Sequence, residues 1–227
     1  MLVVKPRIKL ADTQTLDGET MSLYEQDGDY SISFEGQELM HSRLNASEKL
    51  LGELGLGRLS QTNEERVLVG GLGLGFTLQR VLSTLGPRSR VDLVELLPDV
   101  FAWNRNFLAN LNGYLLKDPR VNEIAEDVTR LILDAEPNLY DAVLLDIDNG
   151  PIAMVSREND SLYSTAGLNA LYQTVRPRGR AVIWSAGPDK KFENRLRDAG
   201  FTASAVPAKS HCSAKRASYL IYVADKC

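Results

Sequence analysis

From Arg66 onward the chain alternates short apolar runs with helical periods, and this alternation limits it to very few folds. The apolar runs fall at residues 67–69, 91–94, 121–125, 142–145 and 181–184. Helical spacing fills the intervals, at 77–85, 100–108, 129–133, 166–175 and 192–199. The runs at 67–69, 142–145 and 181–184 are wholly apolar rather than alternating, so both faces of the sheet are expected to be covered. Repeated strand–helix units of this kind predict a parallel sheet with helices on both sides. Near the end, FTASAVPA and SYLIYVA are both strand-like with no helix between them, which predicts an antiparallel pair closing one edge. The expected fold class is therefore α/β: a Rossmann-like, seven-stranded, mostly parallel sheet. Ligands of such sheets sit outside the carboxyl ends of the strands.

Residues 1–60 read differently, as a small appendage to a catalytic domain spanning 61–227. MSLYE and YSISFE alternate in the strand manner, and Gln26-Asp27-Gly28-Asp29 between them reads as a hairpin turn. A helix is expected over 43–54, with Leu44, Leu50, Leu51 and Leu54 as its apolar stripe and Gly55 as its stop. A chain of 227 residues with 44% hydrophobic and 25% charged residues can build a sizeable core and is not disordered. Its net charge of -4 and lack of a basic stripe argue against nucleic acid as a partner. No stretch approaches the roughly 20 apolar residues of a membrane span. Cys212 and Cys227 make neither a disulfide framework nor a metal cluster. Lys5, Arg7 and Lys9 stand where a secretory signal would need an apolar run, so a cytoplasmic protein is expected.

The first core strand runs out in V-L-V-G-G-L-G-L-G-F-T-L. Gly71, Gly73 and Gly75 allow a tight turn and let backbone approach a ligand with no Cβ in the way; Leu72 lies between the first two. The helix that follows offers unpaired N–H groups. Glu95 ends the second strand, 20 residues after Gly75, where an acid can accept hydrogen bonds from ribose hydroxyls. Asp127 and Asp146 end the third and fourth. A nicotinamide-binding loop would place a third glycine where Phe76 stands, so the tighter G-x-G-x-G favours S-adenosylmethionine or a relative of it.

At this point the residues resemble the spermidine synthases, the aminopropyltransferase branch of the class I S-adenosylmethionine-dependent methyltransferase fold. The resemblance rests on the glycine loop, on VELLPDVFAWNRNFL and on YDAVLLDIDNGP. Apolar Val69, two residues before the first motif glycine, is also as in that family. The resemblance implies that Glu95 binds ribose, that Asp127 with Val128 receives the adenine, and that Asp146 lines the site and helps to place a substrate amine. Asp148 matches the family's catalytic aspartate, which deprotonates an attacking amine. A sulfonium is an activated leaving group, so no metal is expected. The implied cofactor is S-adenosylmethionine or its decarboxylated form, the implied substrate a small amine, and a homodimer is the family's precedent.

The departures point elsewhere. Where the family's glycine loop carries an aspartate facing the aminopropyl amine, this chain has Leu74. The family's amine-binding D-E-x-x-Y-H-E survives only as an echo in HSRLNASE, which supplies His41, Arg43, Asn45 and Glu48. Methyl transfer to a small molecule, chemistry within the cofactor's own methionine portion, and a non-catalytic nucleoside-binding module are therefore alternatives to aminopropyl transfer. His41, between hairpin and helix, and Tyr163, a short loop beyond D-N-G-P, are further catalytic candidates. Arg43 could meet a carboxylate, and Trp184 could form a substrate wall. Trp103 reads as packing. His211 and Cys212, being adjacent, read as part of a loop between edge strands.

Overall fold

The computed structural model describes residues 5–59, 62–147 and 159–227. A four-stranded antiparallel sheet comes first: β1 (Ile8–Gln14), β2 (Thr20–Gln26), β3 (Asp29–Phe34) and β4 (Gln37–His41), paired in sequence order. The expected hairpin is its middle pair. Asp27 and Gly28 both take positive φ, 54° and 84°, the two-residue turn whose twist suits antiparallel strands. Strands β1 and β4 enlarge this sheet beyond the expected hairpin.

Helix α1 (Ala46–Leu56) begins three residues later than expected and packs on the larger sheet. Its close approach depends on small residues: a Cβ on Gly55 would come 2.7 Å from the Leu144 side chain, and one on Gly52 2.8 Å from Arg80. The helix that belongs to the appendage in sequence is thus built into the α/β layer in space.

The larger sheet contains β5 (Arg66–Gly70), β6 (Arg90–Glu95), β7 (Val121–Ala125), β8 (Tyr140–Leu145), β9 (Val175–Ser185), β10 (Thr202–Ala208) and β11 (Tyr219–Asp225). Their order is β10-β11-β9-β8-β5-β6-β7, parallel except for β11, which runs antiparallel to both of its neighbours. Intervening helices are α2 (Phe76–Thr84), α3 (Pro98–Asn106), the short α4 (Ala109–Asn112), α5 (Val128–Asp134), the short α6 (Asn159–Leu162), α7 (Thr165–Thr174) and α8 (Lys190–Asp198). Alternate residues of each strand feed two cores. Val67, Val69, Leu93 and Leu144 join α1, α2 and α3 on one face. Leu68, Val94, Val143 and Leu145 join α5, α7 and α8 on the other. Each such side chain, fully buried, contributes about 1.5–3 kcal/mol relative to exposure. Buried Asp92 on β6 fixes the alignment of four strands. It accepts hydrogen bonds from Arg66 on β5 (2.9 Å), Asn122 on β7 (2.9 Å) and Tyr140 on β8 (3.0 Å).

Chain order reverses at β5: β6 and β7 are added on one side, β8 and β9 on the other. Such a switch point opens a crevice at the carboxyl ends of β5 and β8.

Candidate active site

A cavity of about 410 Å³ occupies this crevice, roofed by Ile32, Met40 and His41 of the small sheet. Its floor is the glycine loop. Gly71, Gly73 and Gly75 have φ of 90°, 48° and 87°, values that side-chain-bearing residues rarely adopt. A Cβ on Gly71 would sit 2.2 Å from the Asp146 carbonyl oxygen, and one on Gly73 2.7 Å from Met40 Sδ. Gly71 and Gly73 face the cavity, whereas Leu72 and Gly75 line only a narrow recess beside it. The Leu72 and Leu74 side chains are 5% and 4% exposed and packed into the core. Asn104 Nδ2 donates to the Gly73 carbonyl and Asn112 Nδ2 to that of Leu74, both at 2.9 Å, so the loop is fixed from α3 and α4.

One end of the cavity holds carboxylates set by backbone. Glu95 Oε2 accepts the Leu72 N–H and Oε1 the Leu97 N–H, each at 3.0 Å. Burial pushes this carboxyl up from its ordinary range, and the N–H groups of Leu97 and Leu72 oppose the shift. Asp127 caps α5 by accepting the Thr129 N–H at 2.8 Å. Val128, 5% exposed, lies beside it on the cavity wall. Glu95, Asp127 and Val128, all expected at a nucleoside site, are brought together here.

The other end is set by hydroxyls. Asp146 Oδ2 accepts from Thr77 Oγ1 at 2.7 Å, and Glu48 Oε2 accepts from Ser47 Oγ at 2.6 Å. Burial pushes Asp146 up to about 6 against the pull of Thr77. Glu48 is pushed up to about 7, first by burial and then by the Asp146 charge. Two such acids titrate as a pair rather than separately. Beyond them Trp184, at the end of β9, meets Tyr219 of β11 with ring centroids 4.8 Å apart, and both line the cavity.

The remaining candidates separate. His41 lines the cavity, and its Nδ1 accepts the Arg43 backbone N–H at 3.2 Å. Arg43 is mostly exposed and paired with Asp29, which it holds below the usual carboxylate range. Tyr163, 5% exposed, meets Phe192 edge-on at 5.3 Å in the core on the far face and is not among the described residues that line the cavity. Trp103 is core, as expected. His211 bonds to Ser213 in the loop between β10 and β11. Asp148 lies outside the described residues. Glu48 and Tyr219 are cavity residues that strand-end reasoning misses; the one sequence signal for Glu48 is its place in the HSRLNASE echo.

Among the described residues, seven carboxylic acids line the cavity: Asp17, Glu38, Glu48, Glu95, Glu126, Asp127 and Asp146. Among the described residues its lining includes no lysine or arginine. Among them there is also no cluster of His, Cys, Asp and Glu suited to a metal ion, and no helix long and apolar enough to cross a membrane.

The spermine/spermidine synthase domain model matches residues 47–192. Polyamine aminopropyltransferase 2 of Pseudomonas aeruginosa is 33% identical over 129 residues, which cover 55% of this chain and 34% of that protein. The chain thus matches about a third of the length of that curated relative. Among solved structures, a spermidine synthase from Thermotoga maritima superposes with a TM-score of 0.76 at 16% identity, over 96% of this chain and 73% of that one. A spermidine synthase in complex with the transition state analogue AdoDATO gives 0.74 at 16% identity, over 96% and 72%. A probable spermidine synthase from Corynebacterium glutamicum gives 0.69 at 13% identity, over 97% and 80%. At these identities the structural likeness concerns the fold. The domain match covers more than half of the chain, and it shows that the chain belongs to the spermine/spermidine synthase family.

Proposed function

We propose that this chain is an aminopropyltransferase that takes decarboxylated S-adenosylmethionine as donor and a small amine as acceptor. The observation that carries the reading is the charge of the cavity. Seven acids and no lysine or arginine among the described lining residues suit a sulfonium and ammonium groups. The α-carboxylate of intact S-adenosylmethionine would enter the same cavity without a cationic partner, and an unpaired charge in such a place is costly. The name of the Pseudomonas relative and the analogue-bound spermidine synthase support the same chemistry.

In this reading Glu95 accepts hydrogen bonds from the ribose hydroxyls, with its carboxylate held in place by Leu72 and Leu97. Asp127 and Val128 receive the adenine. The Cβ-free surface of Gly71 and Gly73 lets the donor lie against backbone. The acceptor enters past Trp184 and Tyr219, whose faces suit a cationic chain. The acceptor ammonium gives its proton to a carboxylate, for which we assign Asp148 from its position in YDAVLLDIDNGP. The amine then attacks the methylene carbon next to sulfur, and the C–S bond breaks to leave a neutral thioether. The exposed thiols of Cys212 and Cys227 suit a reducing compartment, in keeping with a cytoplasmic location.

Calorimetry with the two nucleosides tests the reading. Decarboxylated S-adenosylmethionine is expected to bind at least about tenfold more tightly than the intact form, one uncompensated charge being decisive at this scale. Preference for the intact form would overturn aminopropyl transfer and favour methyl transfer. Asp148→Asn is expected to lower kcat with little change in donor affinity; an equal loss in both would contradict its role.

A further inference from the structure

The pair Glu48 and Asp146 is more than an acidic patch in the cavity wall. The two residues come from different layers, Glu48 from the first turn of α1 and Asp146 from the end of β8. They meet beside Gly73 and Leu74 in the recess next to the glycine loop. Each keeps one oxygen engaged by a hydroxyl, from Ser47 and Thr77. Neither forms an ion pair with a lysine or arginine among the described residues. The other groups facing Glu48 do not neutralise it. Lys49, on the same helix, has its ammonium over the Phe76 ring at 5.5 Å and pulls Glu48 down only as the smallest of its influences, and the phenol of Tyr219 on β11 is itself pushed up by burial and then by the Glu48 charge. His41 of β4 completes the surroundings on the roof.

Position along the sheet says which ligand group reaches the pair. Glu95 ends β6 and Asp146 ends β8, with β5 between them. Two strand spacings separate the acids, about 10 Å. A ribose on Glu95 carries its sulfonium across the glycine loop at β5, and a three-carbon chain then reaches β8. Trp184 and Tyr219 stand one and two strands further on, at β9 and β11, which leaves that end to the acceptor. The loop itself offers no charge to the donor chain, because Leu74 is turned into the core.

We infer that Glu48, together with Asp146, is the donor-specificity site: the two carboxylates hold the primary ammonium at the end of the donor's aminopropyl chain. This rests on the reading given under Proposed function. Glu48 supplies from α1 a charge that the glycine loop lacks, and it positions the chain so that the carbon next to sulfur faces the acceptor.

The test compares Glu48→Gln with the native protein, using three nucleosides in calorimetry. Methylthioadenosine has the same nucleoside but no ammonium, so it reports the far end of the cavity alone. Glu48→Gln is expected to weaken decarboxylated S-adenosylmethionine about 30-fold or more, the cost of losing a charge-assisted contact. It is expected to leave methylthioadenosine within about twofold, a readout that a merely structural role of Glu48 would move as well. Equal weakening of both ligands, or no weakening of either, overturns the inference. If the native protein already fails to prefer the decarboxylated over the intact form, the aminopropyl reading falls and takes the inference with it. If that preference is present and Glu48→Gln keeps it in full, only the inference falls.

Discussion

The two ends of the cavity use the same side-chain chemistry in opposite ways. At the proposed nucleoside end, Glu95 and Asp127 are held by backbone N–H groups, donors fixed by the fold itself. At the proposed amine end, Glu48 and Asp146 are held by two hydroxyls; burial raises both, and the Asp146 charge raises Glu48 further toward the protonated state. A neutral sugar and base need acceptors in fixed positions, and backbone supplies these with little reorganisation. A cation needs charge, and charge kept near its like is relieved when the cation arrives. One end is satisfied without a ligand and the other is not.

Gly71→Ala would break both ends at once. The new Cβ would lie 2.2 Å from a backbone oxygen at a φ of 90°. The cost is about 3 kcal/mol or more. Binding of both methylthioadenosine and the decarboxylated donor should be lost in calorimetry, with a lower melting temperature. Glu95→Gln separates the ends next. Its amide cannot accept from both Leu72 and Leu97 while also meeting the ribose, so both nucleosides should weaken by about 100-fold and to the same extent. A loss confined to the decarboxylated donor would erase the distinction between the two ends.

The smallest effect has the opposite sign. Glu48 is raised from 4.5 to about 7 and Asp146 from 3.8 to about 6 in the folded protein. A raised carboxyl favours the folded state while it is protonated. The pair's contribution is therefore complete below about pH 4 and is lost as pH rises to about 7. The ligand-free protein should lose stability through that window. Glu48→Gln should flatten the loss and melt about 2–4 °C higher at pH 8, because solvent in the cavity moderates the effect to roughly 1 kcal/mol. A lower melting temperature would mean that the pair is stable as it stands.

The contrast also explains how much could be read from the sequence. Glu95, Asp127 and Asp146 each follow directly on an apolar strand, so a local pattern locates them once a parallel sheet is expected. The glycine loop is local in the same way. Glu48 reaches the site through tertiary packing: α1 descends onto Leu144 because Gly52 and Gly55 allow it, and Gly55, expected as the helix stop, lies inside the helix at that contact. Tyr219 arrives through the pairing of β11 with β9, in which Ile221 lies opposite Trp184. In the small sheet the β2–β3 hairpin was legible from its Asp-Gly turn. Strand β1 is mostly exposed and carries the Lys9–Asp12 pair, and β4 is short and bulged at Leu39, so neither shows clean alternation.

The run from Gly71 to Gly75 works as a two-sided strip, with bare backbone toward the ligand and leucine toward the core. The leucines act as pegs, and the smooth ligand surface persists because Leu72 and Leu74 are driven in beneath it. An engineer who wanted an acid at position 74 could not simply install one. Leu74→Asp would lose a peg and bury a third carboxylate beside Glu48 and Asp146, at a cost of several kcal/mol. If Glu48 holds the donor as we propose, substrate selectivity is open to redesign from the first turn of α1, and closed to it in the loop.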